Sequence, residues 1–357
     1  MREENLRVAL ISFTARGFQV NRLLQRELKK RGYLCTSYEK RGSRSGKGDF
    51  GHQETVVFAE ESVREWTGKR FSDSGVLIFI GAVGIAVRSM APWVKDKWTD
   101  PAVIAVDEAG TYVIPLLSGH GGGANELAVE AAKILKGIPV ITTATDINGR
   151  FAVDVFAVKN GLSIMDKTLA KEISAAVLEG SQVGMFSHYP IEGRMPGELV
   201  SEEKRDNNIW ITRRRSESPG LKLVPKVIHI GVGCRRDADA GKIRTVVLKT
   251  LKDWDCLPES VAAVASIDRK RDEEGILKLA EYFHVPFHTF SARELSEVMG
   301  RFEESSFVAE VTGVGNVCER AAFLSAKGGQ IICPKQIDSG VTVALAEENW
   351  KGTFEYG

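Results

Sequence analysis

One serine, one histidine and four glycines fill the six positions Ser118-Gly119-His120-Gly121-Gly122-Gly123, directly after the apolar run Tyr112-Val113-Ile114-Pro115-Leu116-Leu117. Ala124, Leu127, Ala128, Ala131, Ala132 and Leu135 then recur at helical spacing. The pattern predicts a strand, a glycine turn and a helix. Glycine has no Cβ, so a ligand can approach the backbone closely. The first amides of a helix are free to meet a negative or carbonyl oxygen. An imidazole within such a turn is held neutral by the helix N-terminus, which suits a general base. We therefore expect Ser118, Gly119, Gly121, Gly122 and Gly123 to contact a small anionic or carbonyl-bearing molecule, with His120 as the proton carrier. The competing reading is a histidine satisfied within a loop, although glycine neighbours give it little to pack against. Asn125 is either an ordinary polar residue of the first helical turn or an amide that orients a substrate carbonyl.

Other residues could join this chemistry. Gly81 and Gly84 form a second glycine turn after a strand, and Arg88 follows on its helix, where a guanidinium can clamp a carboxylate. Surface exposure is the plain alternative. Thr142, Thr143, Thr145 and Asp146 follow the apolar run Ile138–Ile141, and ligands collect at strand ends in open α/β sheets. Asp146 is a further acid–base candidate. Gly231-Val232-Gly233 and Gly313-Val314-Gly315, the latter preceded by Thr312, are short glycine turns that tight packing alone could explain. Cys234, beside Arg235 and Arg236, is a reactive thiolate or, on the favoured reading, a small turn residue. His229 lies within a strand and reads as structural. His52, His188, His284 and His288 lack ligand spacing, so no metal site is expected.

These residues need elements to position them. The chain has 357 residues, 43% hydrophobic and 27% charged, with net charge +1. That charge excludes a global field for nucleic acid. No apolar run is long enough to span a bilayer, no signal peptide is expected from the acidic N-terminal residues, and five scattered cysteines without a C-x-x-C pair suggest reduced thiols. A cytoplasmic location follows as the expectation. No Walker A, G-x-G-x-x-G or G-x-S-x-G motif occurs. Strands at 7–13, 75–80, 102–106, 111–117 and 138–143 alternate with helices, and residues 39–54 read as a surface loop. A weaker stretch over 151–222 contains a helix at 167–178, a strand at 182–186, and polar turns at 201–208 and 213–220. A new alternation begins at Lys226, with strands at 226–230, 261–267 and 286–290. Ser291-Ala292-Arg293-Glu294 marks a capped helix start. The predicted fold class is α/β, two three-layer-like α/β domains joined by a smaller α+β middle region. The expected divisions are 1–150, 151–222 and 223–357.

Longer motifs carry a resemblance. They are Gly81-x-x-Gly84-Ile85-x-Val87-Arg88, Lys97-x-x-Asp100-Pro101-Ala102-Val103, Leu116-Leu117-Ser118-Gly119-His120-x-Gly122-Gly123-Ala124-Asn125 and Pro139-Val140-Ile141-Thr142-Thr143-Ala144-Thr145-Asp146. In the last third they are Gly231-Val232-Gly233-Cys234-Arg235-Arg236, Ala265-Ser266-Ile267-Asp268-x-Lys270 and Thr312-Gly313-Val314-Gly315-Asn316. Together they resemble the CbiG family of cobalamin-biosynthesis proteins over nearly the whole chain. The resemblance implies an enzyme of anaerobic vitamin B12 synthesis, a cobalt-precorrin-5A hydrolase that opens a δ-lactone on a cobalt tetrapyrrole and releases acetaldehyde. It implies no cofactor of the protein's own, because the substrate carries the cobalt. Arg88, Lys97 and Arg236 are then candidates for the macrocycle's carboxylates. Expected partners are the cobalt-tetrapyrrole substrate, neighbouring enzymes of the pathway and a second copy of the chain, with neither nucleic acid nor membrane. The competing class is a non-catalytic tetrapyrrole carrier. A phosphosugar or nucleotide enzyme is a weaker third reading.

Overall fold

The computed structural model describes residues 6–40, 56–96, 99–119, 122–143, 150–216, 219–298, 302 and 315–355. The chain divides into two compact units, Met1–Arg150 and Phe151–Gly357.

The first unit is built from β1 (Arg7–Ser12), α1 (Ala15–Lys30), β2 (Leu34–Glu39), β3 (Val56–Phe58), α2 (Val63–Asp73), β4 (Val76–Ile80) and α3 (Val83–Met90). β5 (Ala102–Val106), β6 (Tyr112–Leu117), α4 (Ala124–Leu135) and β7 (Ile138–Pro139) complete it. They form one sheet in the order β3-β2-β1-β4-β5-β6-β7. The first five strands are parallel. β6 turns back against β5, and β7 follows β6. Central strands are apolar throughout because both faces are covered. Val8, Leu10, Ile78 and Ile104 meet α1 and α4, while Ala9, Ile11, Leu77 and Phe79 meet Trp66 of α2 and Ala86 and Met90 of α3. The reversal at β6 rests on Asp107, whose carboxylate accepts from the amides of Ala109 and Tyr112. The strand expected over 138–143 pairs only at Ile138 and Pro139. Most of the loop expected at 39–54 lies outside the described residues.

In the second unit, residues 151–225 contribute α5 (Val153–Lys159), β8 (Leu162–Ile164), α6 (Lys167–Leu178), β9 (Val183–Ser187), β10 (Ile191–Glu192), β11 (Leu199–Ser201), β12 (Asn208–Ile211) and β13 (Leu221–Pro225). Their sheet runs β11-β9-β12-β13-β8, with β8 antiparallel. Asn208–Ile211 is thus a strand that begins at the last residue of the turn expected at 201–208 and ends before the one expected at 213–220. After them come β14 (Ile228–Cys234), α7 (Ala240–Asp253), β15 (Val261–Ile267), α8 (Glu274–Phe283), β16 (Phe287–Phe290), α9 (Ala292–Glu297), α10 (Val317–Ser325), β17 (Gln330–Asp338) and β18 (Val341–Glu347). These strands order as β16-β15-β14-β18-β17. β14, β15 and β16 are parallel, and β18 runs against β14 and β17. α7 and α8 cover one face through Ile243, Val247, Ile276 and Leu279. α10 covers the other through Val317 and Ala321 against Ala265 and Ile267. Gly231 permits this layer, since a Cβ there would stand 1.8 Å from the Cys318 carbonyl oxygen.

The two five-stranded sheets of this unit are tied together, in part by a small two-stranded one. β19 (Gly352–Thr353) pairs with β10. Asn160 exchanges two hydrogen bonds with Thr353, and Phe354 completes the core of Phe156, Ile173, Ile209 and Leu223. The Arg213 guanidinium lies 3.1 Å from Glu347, which also accepts from the Tyr189 hydroxyl at 2.7 Å.

Candidate functional site

The glycine turn after β6 is shaped by its own hydrogen bonds. Ser118 has φ 55°, a left-handed backbone that costs a residue with a side chain on the order of 1–3 kcal/mol. Three bonds hold it there. Its hydroxyl donates to the Asp100 carbonyl at 2.9 Å, and its carbonyl accepts the amides of Gly122 and Ala124. Asp100 is buried, with its carboxylate accepting the Lys95 and Asp96 amides. The Asn125 amide returns to the Gly119 carbonyl, and Gly123 caps α4 at φ 75°. Three amides expected to face a ligand are therefore spent inside the turn, and the cradle left to a ligand is smaller than the sequence suggests.

Asn125 is the side chain this turn presents most firmly. It is 7% exposed, and its Nδ2 donates to Thr143 Oγ1 at 2.9 Å. A Cβ on Gly119 would come within 2.7 Å of Asn125 Oδ1, so this glycine lets the backbone lie against the carboxamide. Gly122 is similarly fixed, since a Cβ would meet Ser118 Cβ at 2.5 Å. Ser118, Gly119, Gly122, Asn125 and Thr143 are thus one cluster, with Thr142 exposed beside it. His120, Gly121, Thr145 and Asp146 lie outside the described residues, as do Lys97, Thr312 and Gly313.

The second glycine turn does not belong to this cluster. Leu117 pairs with Val103, near the start of β5, whereas Gly81 follows β4 at the end marked by the Ile80–Val106 pair. The two turns therefore sit at opposite edges of the sheet. Arg88 is exposed, its Nη1 reaching the Gly84 carbonyl at 3.3 Å. Its helix packs on the face opposite α4, so the sheet separates Arg88 from Asn125. At the Gly81 edge a different group gathers. Thr14 caps α1 by accepting the Gly17 amide and donates to Glu108 at 2.9 Å, and Gly17 packs on Ile80. Gly81 leaves room for Phe13. This edge, where strand order reverses between β1 and β4, is the usual ligand position in a doubly wound sheet. Nothing in the spacing of Thr14 and Glu108 could have paired them.

In the second unit, Gly233 has a packing role, since a Cβ there would lie 2.4 Å from Thr342 Oγ1. Burial pushes the Cys234 thiol up, against the nearby Lys270, which disfavours a thiolate. Arg236 is exposed, and Gly315 is buried just before Asn316, which caps α10. Sequence reasoning missed one group entirely. His229 and His288 both bond to Ser325, and His229 also bonds to Glu348. His229, His288 and Ser325 lie on separate elements and Glu348 just past β18, so no local motif announces them. Among the described residues no cluster of three His, Cys, Asp or Glu side chains could hold a metal ion, and no helix is long and apolar enough to cross a membrane.

Comparison with known proteins covers the chain in order. Residues 65–146 match the family model described as Cobalamin synthesis G N-terminal, residues 151–225 the Cobalamin biosynthesis central region, and residues 228–346 the Cobalamin synthesis G C-terminus. The cobalt-precorrin-5A hydrolase of Salmonella typhimurium is 37% identical over 290 residues, covering 77% of this chain and 82% of that protein. That of Priestia megaterium is 32% identical over 362 residues, covering 95% and 94%. A solved structure of a cobalamin biosynthesis protein G homolog from Sulfolobus solfataricus aligns with 95% of this chain and 96% of its own, at 23% identity and TM-score 0.42. With the three models met in sequence order and relatives of this identity matched over most of their own length, the chain belongs to the cobalamin synthesis G (CbiG) family.

Proposed function

We propose that this protein is a cobalt-precorrin-5A hydrolase of anaerobic cobalamin biosynthesis, which opens the substrate's δ-lactone and releases acetaldehyde. The observation that carries this reading is the match to two relatives of that name over most of both chains. The chemistry has two demands. Water must add to the lactone carbonyl and break its C–O bond, leaving a carboxylate and a hydroxyl. That hydroxyl, deprotonated, must then collapse to acetaldehyde as the C–C bond breaks, and the carbon left behind must take a proton. The first demand needs a base and a partner for the developing oxyanion. His120 is our candidate base, and the Asn125 carboxamide, fixed by Thr143 beside the same turn, is our candidate for orienting the carbonyl. Asp146 is the second candidate for proton transfer.

The test is incubation of purified protein with cobalt-precorrin-5A, with acetaldehyde followed through a coupled alcohol dehydrogenase. Stoichiometric acetaldehyde is expected. Tight binding without release would favour the carrier reading instead. His120→Ala should bind substrate normally and turn over about 10²- to 10⁴-fold more slowly, the range for a positioned acid–base group. Near-normal release would shift suspicion to Asp146.

A further inference from the structure

Two histidines of the second unit compete for one hydroxyl. His229 Nδ1 lies 2.7 Å from Ser325 Oγ, and His288 Nδ1 lies 2.9 Å from the same oxygen. His229 Nε2 is 3.1 Å from Glu348 Oε2, and the other oxygen of Glu348 accepts from Lys327 at 2.7 Å. His229 and Ser325 are 3% and 4% exposed, whereas His288 is half-buried on β16, the outermost strand of its sheet among the described residues.

Counting protons gives this chain a direction. A carboxylate only accepts, so His229 Nε2 carries a hydrogen toward Glu348. Burial lowers the His229 pKa against the opposing pull of Glu348, so the ring is neutral and its Nδ1 is a lone pair. That lone pair accepts the single Ser325 hydrogen. Ser325 has no second hydrogen, so His288 must donate its Nδ1–H to the serine oxygen. A neutral His288 is then left with a lone pair on Nε2, which makes no hydrogen bond among the described residues. A neutral imidazole with one N–H anchored and the other nitrogen open is the arrangement of a metal-ligating histidine.

We propose that His288 Nε2 is an axial ligand to the cobalt of the tetrapyrrole substrate, oriented by the Ser325–His229–Glu348 chain. The inference rests on the reading of the substrate given above. A lone imidazole holds a free metal ion poorly, and the described residues offer no third ligand near it. A macrocycle already supplies the equatorial nitrogens, so one axial donor suffices. Room for the ring's apolar edge is adjacent. Phe290, two residues along the same strand and hence on the same face, lines a cavity of about 510 Å³ with Glu294, Glu297, Val298, Phe323 and Leu324. Both acids there are already engaged, Glu294 by Ser291 and Glu297 by Arg293.

The test uses the full chain and diaquocobinamide reduced to cobalt(II) as probe. Electron paramagnetic resonance should show splitting by one axial nitrogen. His288→Ala, its fold verified by circular dichroism, should lose that splitting and bind the probe at least tenfold more weakly. Ser325→Ala should keep the splitting but weaken binding by a smaller factor, because the ring loses its anchor and not its donor. Nitrogen NMR of the free protein should find His229 and His288 in opposite neutral tautomers. Nitrogen splitting that is absent in the wild type, or retained in His288→Ala, overturns the proposal. Acetaldehyde assays on the same samples separate it from the functional reading. Turnover without nitrogen ligation defeats the axial ligand and leaves the hydrolase standing. Ligation without turnover supports the ligand and defeats the hydrolase.

Discussion

Gly231→Ala is the most demanding test of the packing in the second unit. The added methyl would stand 1.8 Å from the Cys318 carbonyl oxygen and 2.7 Å from its carbon. Even a close C–H···O contact needs about 3.3 Å, so α10 must retreat on the order of 1.5 Å from β14. The obstacle is helix backbone and cannot rotate aside. The helix also carries the cap at Asn316, and its own fully buried Ala321 and Ala322 already pack close to the sheet that carries Ala265. Overpacking commonly costs about 1–3 kcal/mol, and this geometry belongs at or beyond the upper end. For a unit of this size, ~3 kcal/mol lowers the melting temperature by ~6–12 °C. Gly233→Ala is the internal control, since its new methyl meets only the Thr342 side chain, whose hydroxyl can turn away at the loss of one hydrogen bond to the Gly233 carbonyl. Differential scanning calorimetry of both variants should show a large loss for Gly231→Ala and a small one for Gly233→Ala. Equal losses, or a Gly231→Ala shift of less than about 2 °C, would refute the account of how α10 is seated.

Three further outcomes follow from geometry described above. Burial holds the His229 pKa below its ordinary 6.5, and the bonds from Lys327 and His229 outweigh burial to hold Glu348 below its usual 4.5. In each case the unfolded chain takes up the proton first, so stability is full above the ordinary value and lost as pH falls through the lowered one. The second unit should therefore melt earlier as pH drops below about 6.5, and His229→Gln should flatten that slope; an unchanged slope would remove His229 as its source. Glu347→Ala strands Arg213, and because the two side chains keep 15% and 21% exposure the cost should be about 2 kcal/mol, below the roughly 3–5 of a fully buried pair. Urea titration measures it, and a neutral effect would show that the pair does not tie the sheets. Finally, Asn125→Ala should reduce turnover at least tenfold more than Arg88→Ala, since the sheet lies between them; the reverse order would place the reacting group at the Gly81 edge.

The sequence reveals the sheets' central strands and their helices because burial on both faces demands unbroken apolar runs, as in Val76–Ile80 and Val261–Ile267. Capping chemistry was equally legible, with Ser291 and Glu294 forming the expected reciprocal box. What escapes is pairing between short pieces. β8, β10, β11 and β19 span two or three residues each, too few for a period to register. The hairpin of β17 and β18 also went unread, although Ser339 and Gly340 at φ 52° and 80° make the expected tight turn. At the site, the glycine turn is visible as a string and Asp107-Glu108-Ala109-Gly110 before it signals a hairpin, but the strand order that places Gly81 at the other edge is not visible. Whether Ser118 and Gly81 share a crevice depends on the reversal of β6, which one short hairpin decides. The Ser325 chain joins residues 96 and 37 positions apart, and only the assembled layers bring them together.

The closing of the middle core by Phe354 has a consequence in time. Residues 151–225 leave the ribosome with their sheet partners present but without β19, without the Thr353 partners of Asn160, and without the ring that packs on Phe156 at 5.3 Å. About 130 residues separate Pro225 from Phe354. At about 5–20 residues per second, synthesis needs on the order of ten seconds to deliver that last piece. Through that interval Phe156, Ile173 and Ile209 border an unfilled gap, and the nascent middle region is a natural client for chaperones that bind exposed apolar surface.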